Sequence, residues 1–188
     1  MMSKKLIIGY DLSAVGNHAY FFENAPDSIF CNKCGCCIDD DYLPKDLKVG
    51  NRTDIGTTYD RRFIVSLRFK EYIDGLGLNV DFLPVDKNKI LFLMRPKNII
   101  SYAAYKKGNY CDECHQYFDQ VMPDPTFYDE TGRVLEKGIF FTSTSFGSGK
   151  EKSPSIILGV ETAKIINNAV KTYKFRGADI SKITINVD

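Results

Sequence analysis

The chain has 188 residues, 44% of them hydrophobic and 26% charged, which is the balance of one ordinary globular domain and not of a disordered tail or a fibre. Residues 1–94 hold 12 cations and 13 carboxylates and residues 95–188 hold 13 and 11, so neither half is a basic nucleic-acid module. A chain of this length buries roughly two-thirds of its unfolded surface, so any metal it holds has a local task and is not needed merely to fold.

In chain order, the first apolar run is Leu6-Ile7-Ile8, which ends at Gly9 and soon meets Asp11. That is too short for a signal peptide. The longest later run, Ile90-Leu91-Phe92-Leu93-Met94, is strand-sized and far below the roughly 18 residues of a membrane-crossing helix. The expectation is a cytoplasmic protein with no membrane partner, in which six cysteines are ligands or free thiols and not a disulfide framework.

Four of the six form two CxxC pairs, Cys31-Asn32-Lys33-Cys34 followed by Gly35, and Cys111-Asp112-Glu113-Cys114 followed by His115. A CxxC turn lets two thiolates converge on one cation while backbone N–H groups point at sulfur, and a glycine after the second cysteine eases the tight backbone. Two such knuckles predict a structural zinc ion held by Cys31, Cys34, Cys111 and Cys114. A reduced, metal-free set of thiols is the competing reading. A thioredoxin-like redox pair fits less well, because Asp39-Asp40-Asp41 would oppose a thiolate.

Four sulfur ligands close the coordination sphere and leave no position for an activated water. The net charge of −2 predicts offsetting cations, with Lys33, Lys106 and Lys107 the candidates, and places Asp112 and Glu113 in solvent. Cys36, Cys37 and His115 are alternative ligands, Cys37 through a Cys34/Cys37 pairing. His18 is isolated and reads as a packed or exposed ring.

Residues 31–55 then read as first knuckle and connecting loop, and residues 63–83 as a strand–helix–strand unit. The helix carries Phe69, Tyr72, Ile73 and Leu76 on one face, with Ser66 to cap it and Gly75 and Gly77 to end it. Residues 89–94 and 99–105 read as strands joined by a turn at Arg95-Pro96-Lys97-Asn98. The second knuckle, residues 111–114, follows, so the zinc would staple a sheet edge. Residues 123–138 read as a loop and 138–145 as a strand. Residues 156–176 echo the first unit at a constant offset of 93, with Thr162, Ile165, Ile166 and Ala169 on the helix face and Tyr173 and Phe175 on the closing strand. The fold class expected is therefore a single α+β domain over residues 1–188 with two related strand–helix–strand units, a pseudo-duplication, and a zinc-ribbon-like knuckle pair.

No catalytic template fits. Phe146-Gly147-Ser148-Gly149-Lys150 lacks the glycine at Thr144 and the Ser or Thr at Glu151 of a P-loop, and Pro154 follows where a helix should begin. There is no HExxH, no G-x-S-x-G and no deaminase pattern. The protein is expected not to be an enzyme.

Cys31-x-x-Cys34-Gly35, Leu43-Pro44, Asp46-Leu47, the Val65-Ser66 unit, Cys111-x-x-Cys114, Pro123-Asp124 and the closing segment from Phe140 to Phe175 together resemble the bacterial double CxxCG-motif family. The order of these features spans nearly the whole chain, and the second pair departs from the pattern with His115 in place of glycine. The resemblance implies an immunity protein that neutralises a cognate toxin by binding it. Such a protein needs a rigid docking surface built on a few aromatic or charged anchors. Tyr42, Tyr59, Tyr117, Phe127, Tyr128 and Phe146 are candidate anchors, and Asp39 to Asp41 form an acidic edge suited to a basic toxin. The alternative reading is a zinc-ribbon module for nucleic acid or another protein. It predicts a basic stripe from Lys33, Lys45, Lys48, Arg52, Arg61 and Arg62, which acidic residues interrupt, so nucleic acid is the weaker partner.

Overall fold

The computed structural model describes residues 4–123 and 133–187. Phe127 and Tyr128, and residues 124–132 of the loop expected over 123–138, lie outside them. In chain order the elements are β1 (Lys4–Gly16), β2 (Ile55–Thr57), β3 (Phe63–Ser66), α1 (Leu67–Gly75), β4 (Val80–Pro84), β5 (Leu91–Pro96), β6 (Asn98–Ile100), β7 (Lys106–Tyr110), β8 (Tyr117–Val121), β9 (Ile139–Ser148), β10 (Ser153–Leu158), α2 (Val160–Thr172) and β11 (Ala178–Val187). The protein is a single mixed α+β domain, mostly sheet, with both helices contributing to one core cluster.

The strands form one path, β4-β5-β3-β2-β1-β10-β9-β8-β7, with β11 also on β1 and β6 on β9. β1 is the axle. It pairs with β11 along its length, with β10 through Tyr10 to Leu12, and in parallel with β2 at Val15 and Gly16. A register shift between Ile7 and Gly9 turns the strand over, so Ile8 joins a cluster with Tyr102, Phe146 and Ile157 while Leu12 joins the helix-side core. In β10, Ile156, Ile157 and Leu158 are all fully buried, because both sheet faces are covered there.

The two expected strand–helix–strand units are present with the same connectivity. β3 and β4 both pair antiparallel with β5 between them, and β10 and β11 both pair antiparallel with β1 between them. Ser66 caps α1 by accepting a hydrogen bond from the Phe69 N–H at 3.2 Å, and Gly77 takes a φ of +63° just past its end. The second unit differs in detail from its expected bounds. The buried face of α2 is Thr162, Ala163, Ile166 and Ala169, whereas Ile165 is exposed. Tyr173 ends the helix and Phe175 lies in the connection, since Lys174 and Gly177 turn the chain through positive φ before β11 begins.

Three other expectations change. Residues 95–98 are no hairpin turn, because Arg95 and Pro96 continue β5 and β6 pairs in parallel with β9 instead. Residues 101–105 are not strand. β9 runs on through Phe146, Gly147 and Ser148, and only Gly149 to Glu151 form a turn before β10. Between β1 and β2, residues 17–54 make a long excursion whose Phe21, Phe22, Ile29 and Leu47 share an apolar cluster with Ile64 of β3 and Leu93 of β5. The buried Asp60 carboxylate anchors it, accepting the backbone N–H groups of Phe21 and Phe22 at 2.9 and 2.8 Å.

Candidate metal centre

The excursion and the β7–β8 hairpin present the two CxxC segments to one another. The second forms the tip of the hairpin, whose last pair is Tyr110 with Tyr117; the first is closed by an isolated bridge between Phe30 and Cys37. The two turns match position by position. Cys31 N–H donates to the Cys36 carbonyl at 2.9 Å, and Cys111 N–H to the Gln116 carbonyl at 2.8 Å. Gly35 has a φ of +74° and His115, at the equivalent place, +57°. The departure from glycine therefore leaves the turn unchanged, at the modest cost of a non-glycine residue in the left-handed region.

All four sulfurs lie within 4.8 Å of one another. Cys31 Sγ and Cys111 Sγ are 3.8 Å apart, and Cys34 Sγ and Cys114 Sγ 3.5 Å. Sulfurs placed about 2.3 Å from a central ion at the corners of a tetrahedron are separated by roughly 3.8 Å, whereas a disulfide needs about 2.05 Å. The spacing and the soft donor set fit a metal ion. Facing thiols this close do not both ionise without a cation. Burial opposes ionisation of each, but the Cys36 backbone and the Cys114 thiol favour the Cys34 thiolate, leaving Cys34 at about 6 and Cys114 at about 12.

The charges around the cluster differ from the expected set. Lys33 pairs across the site with Asp112, which tethers one knuckle to the other, and both side chains remain largely exposed. Lys107 instead lies over the Tyr117 ring, and Lys106 lines a separate cavity. The buried cation beside the cluster is Lys152, which sequence reasoning missed. Its Nζ donates to Gln116 Oε1 at 3.0 Å and to the Tyr117 carbonyl, and it acts electrostatically on Cys36. Gln116 in turn donates to the Cys37 carbonyl at 2.9 Å. One lysine from the start of the central strand pair thus braces both knuckles. No local signal marked it, because it follows a glycine-rich stretch that resembles a phosphate loop only in composition.

The alternative ligands stay outside the cluster. Cys36 is fully buried, with burial raising its pKa; Cys37 donates to the Asp39 carbonyl; His115 shares a hydrogen bond with the Tyr110 hydroxyl at 3.2 Å. His18 bonds to the Tyr59 hydroxyl at 2.9 Å, and among the described residues neither histidine forms a side-chain hydrogen bond to a serine or cysteine. Among the candidate anchors, Phe146 is core, Tyr42 packs on Phe21 and Phe22, and Tyr117 on Tyr110; Tyr59 is exposed beside Tyr20. Asp41 of the acidic edge pairs with Arg95. Among the described residues no helix is long and apolar enough to cross a membrane. No protein-family model matches the sequence, and no curated protein matches it.

Proposed function

We propose that this chain is an immunity protein that binds and occludes a cognate bacterial toxin in the cytoplasm, with a structural Zn²⁺ ion held by Cys31, Cys34, Cys111 and Cys114. The immunity role rests on the order of motifs that resembles the double CxxCG family, and the convergence of four thiols from two matching turns supports the metal site. Such a set is saturated, so it braces a surface and does no chemistry. We read the two strand–helix–strand units as a pseudo-duplication on the same terms, and the chain as no enzyme.

The zinc-ribbon alternative for nucleic acid has less support. Lys33 is engaged by Asp112, Lys48 by Asp46, and Arg61 and Arg62 line different cavities, so these four of the stripe's six candidates do not join into one basic surface among the described residues. The deciding experiment combines elemental analysis of the purified chain with co-expression against a candidate toxin domain encoded by a neighbouring reading frame. One zinc per chain, co-purification and rescue of growth are expected. Absence of metal sinks the centre, and failure to bind or neutralise that toxin sinks the immunity role.

A further inference from the structure

A cavity of about 480 Å³ opens beside the metal centre, between the 17–54 excursion and the sheet. Its wall carries Arg62 and Arg95, the acidic side chains Asp39, Asp40 and Asp81, and an apolar side that includes Phe22, Phe63, Met94 and Phe141. Arg62 lies over the Phe22 ring, 4.9 Å from its centroid, and Nη1 donates to the Lys152 carbonyl at 2.8 Å and the Asp60 carbonyl at 3.3 Å. Those two bonds use two of the five N–H groups of a guanidinium. No carboxylate lies within ion-pair distance of it among the described residues. Asp60, two residues earlier, has both oxygens bonded to the Phe21 and Phe22 backbone.

Among the described residues the remaining Arg62 N–H groups make no hydrogen bond, and the side chain lines the cavity. Asn17 Nδ2 is the one buried side-chain donor or acceptor lacking a partner among the described residues, so these N–H groups are not sealed inside protein. Asp40 and Asp60 act on Arg62 through their charge without forming an ion pair with it, and a carboxylate seated in the cavity would match its planar fork. Arg95 supplies a second cation. Its partner Asp41 is 93% exposed, and exposed bridges of this kind are weak enough to exchange. The apolar lining and the volume, within the usual span of small-molecule sites, favour an organic acid over a bare inorganic anion.

We propose that this cavity binds a small organic carboxylate, with the acid group on Arg62 and an apolar body against Phe63, Met94 and Phe141. The site does not depend on the immunity reading, since no toxin is needed to fill it. The test titrates 4-phenylbutyrate and its amide, 4-phenylbutyramide, into the metal-loaded full chain, followed by backbone amide NMR. The acid is expected to shift Phe22, Arg62 and Arg95 saturably, and the amide to bind at least about tenfold more weakly, as loss of a charge-assisted pair implies. Arg62→Gln removes that preference, whereas Arg61→Gln, on the wall of the other cavity, retains it. Should Arg62→Gln misfold, Arg62→Lys keeps the charge without the fork and weakens the acid alone. Equal binding of acid and amide, a preference that survives Arg62→Gln, or no saturable shift by about 10 mM acid overturns the proposal.

Discussion

Asp11 projects from β1 into a cavity of about 770 Å³, where burial, and then the nearby Asp179, push its carboxyl up to about 6. In the unfolded chain it titrates near 3.8. Between those values the folded state holds the extra proton, so stability falls as pH rises through the window and the penalty is complete above it. Asp11→Asn removes the dependence. The variant is expected to gain roughly 1–2 kcal/mol over the natural protein at pH 7.5 and to lose most of that advantage at pH 4, read from denaturant melts. An advantage that does not change with pH would show the carboxyl to be solvated. Nothing in Gly9-Tyr10-Asp11-Leu12 announces this, because the burial comes from residues on β7, β8 and β9.

Connections between elements carry steric demands that differ sharply from glycine to glycine. Gly177, between α2 and β11, has a φ of +102°, and a Cβ there would sit 2.0 Å from the Ile55 carbonyl oxygen. The same peptide carries the hydrogen bond from Val15 N–H to the Gly177 carbonyl at 2.9 Å. Gly177→Ala is therefore expected to cost at least ~3 kcal/mol, through positive φ and a backbone clash together. Gly75, the last residue of α1, has open space around its would-be Cβ. Gly75→Ala is expected to be neutral or to gain up to ~1 kcal/mol, and thermal melts of the pair check both signs. Local patterning made α1 legible, since its cap, buried stripe and terminal glycines all lie within twelve residues of one another. It failed at the end of α2, where Lys174 and not glycine takes the left-handed turn.

Across the molecule, the cysteine cluster joins a loop excursion to an edge hairpin, whereas the main core under both helices involves neither. Removing the metal should then loosen the staple without dissolving the sheet. Chelation is expected to speed amide exchange by about a hundredfold or more around residues 19–49 and 106–121, with β1, β10 and α2 still protected. Cooperative unfolding of the entire chain would show instead that the core depends on the ion. The bracing role of Lys152 belongs to this scale as well, because its stem starts just before β10 while its ammonium serves both knuckles.

What the sequence determined by itself was local and periodic: a balanced α+β composition, an amphipathic helix with its cap, and two CxxC turns whose backbone geometry follows from spacing within a few residues. Tertiary structure alone decided which distant groups meet. β1 became the axle because it pairs with strands from both halves of the chain, Lys152 became the buried cation beside the thiols, and Arg62 was left on a cavity wall without a direct ion pair among the described residues. Local order is written in neighbours and is readable in one dimension; charge balance, cavities and strand order arise from contacts across tens of residues, which no short window of sequence contains.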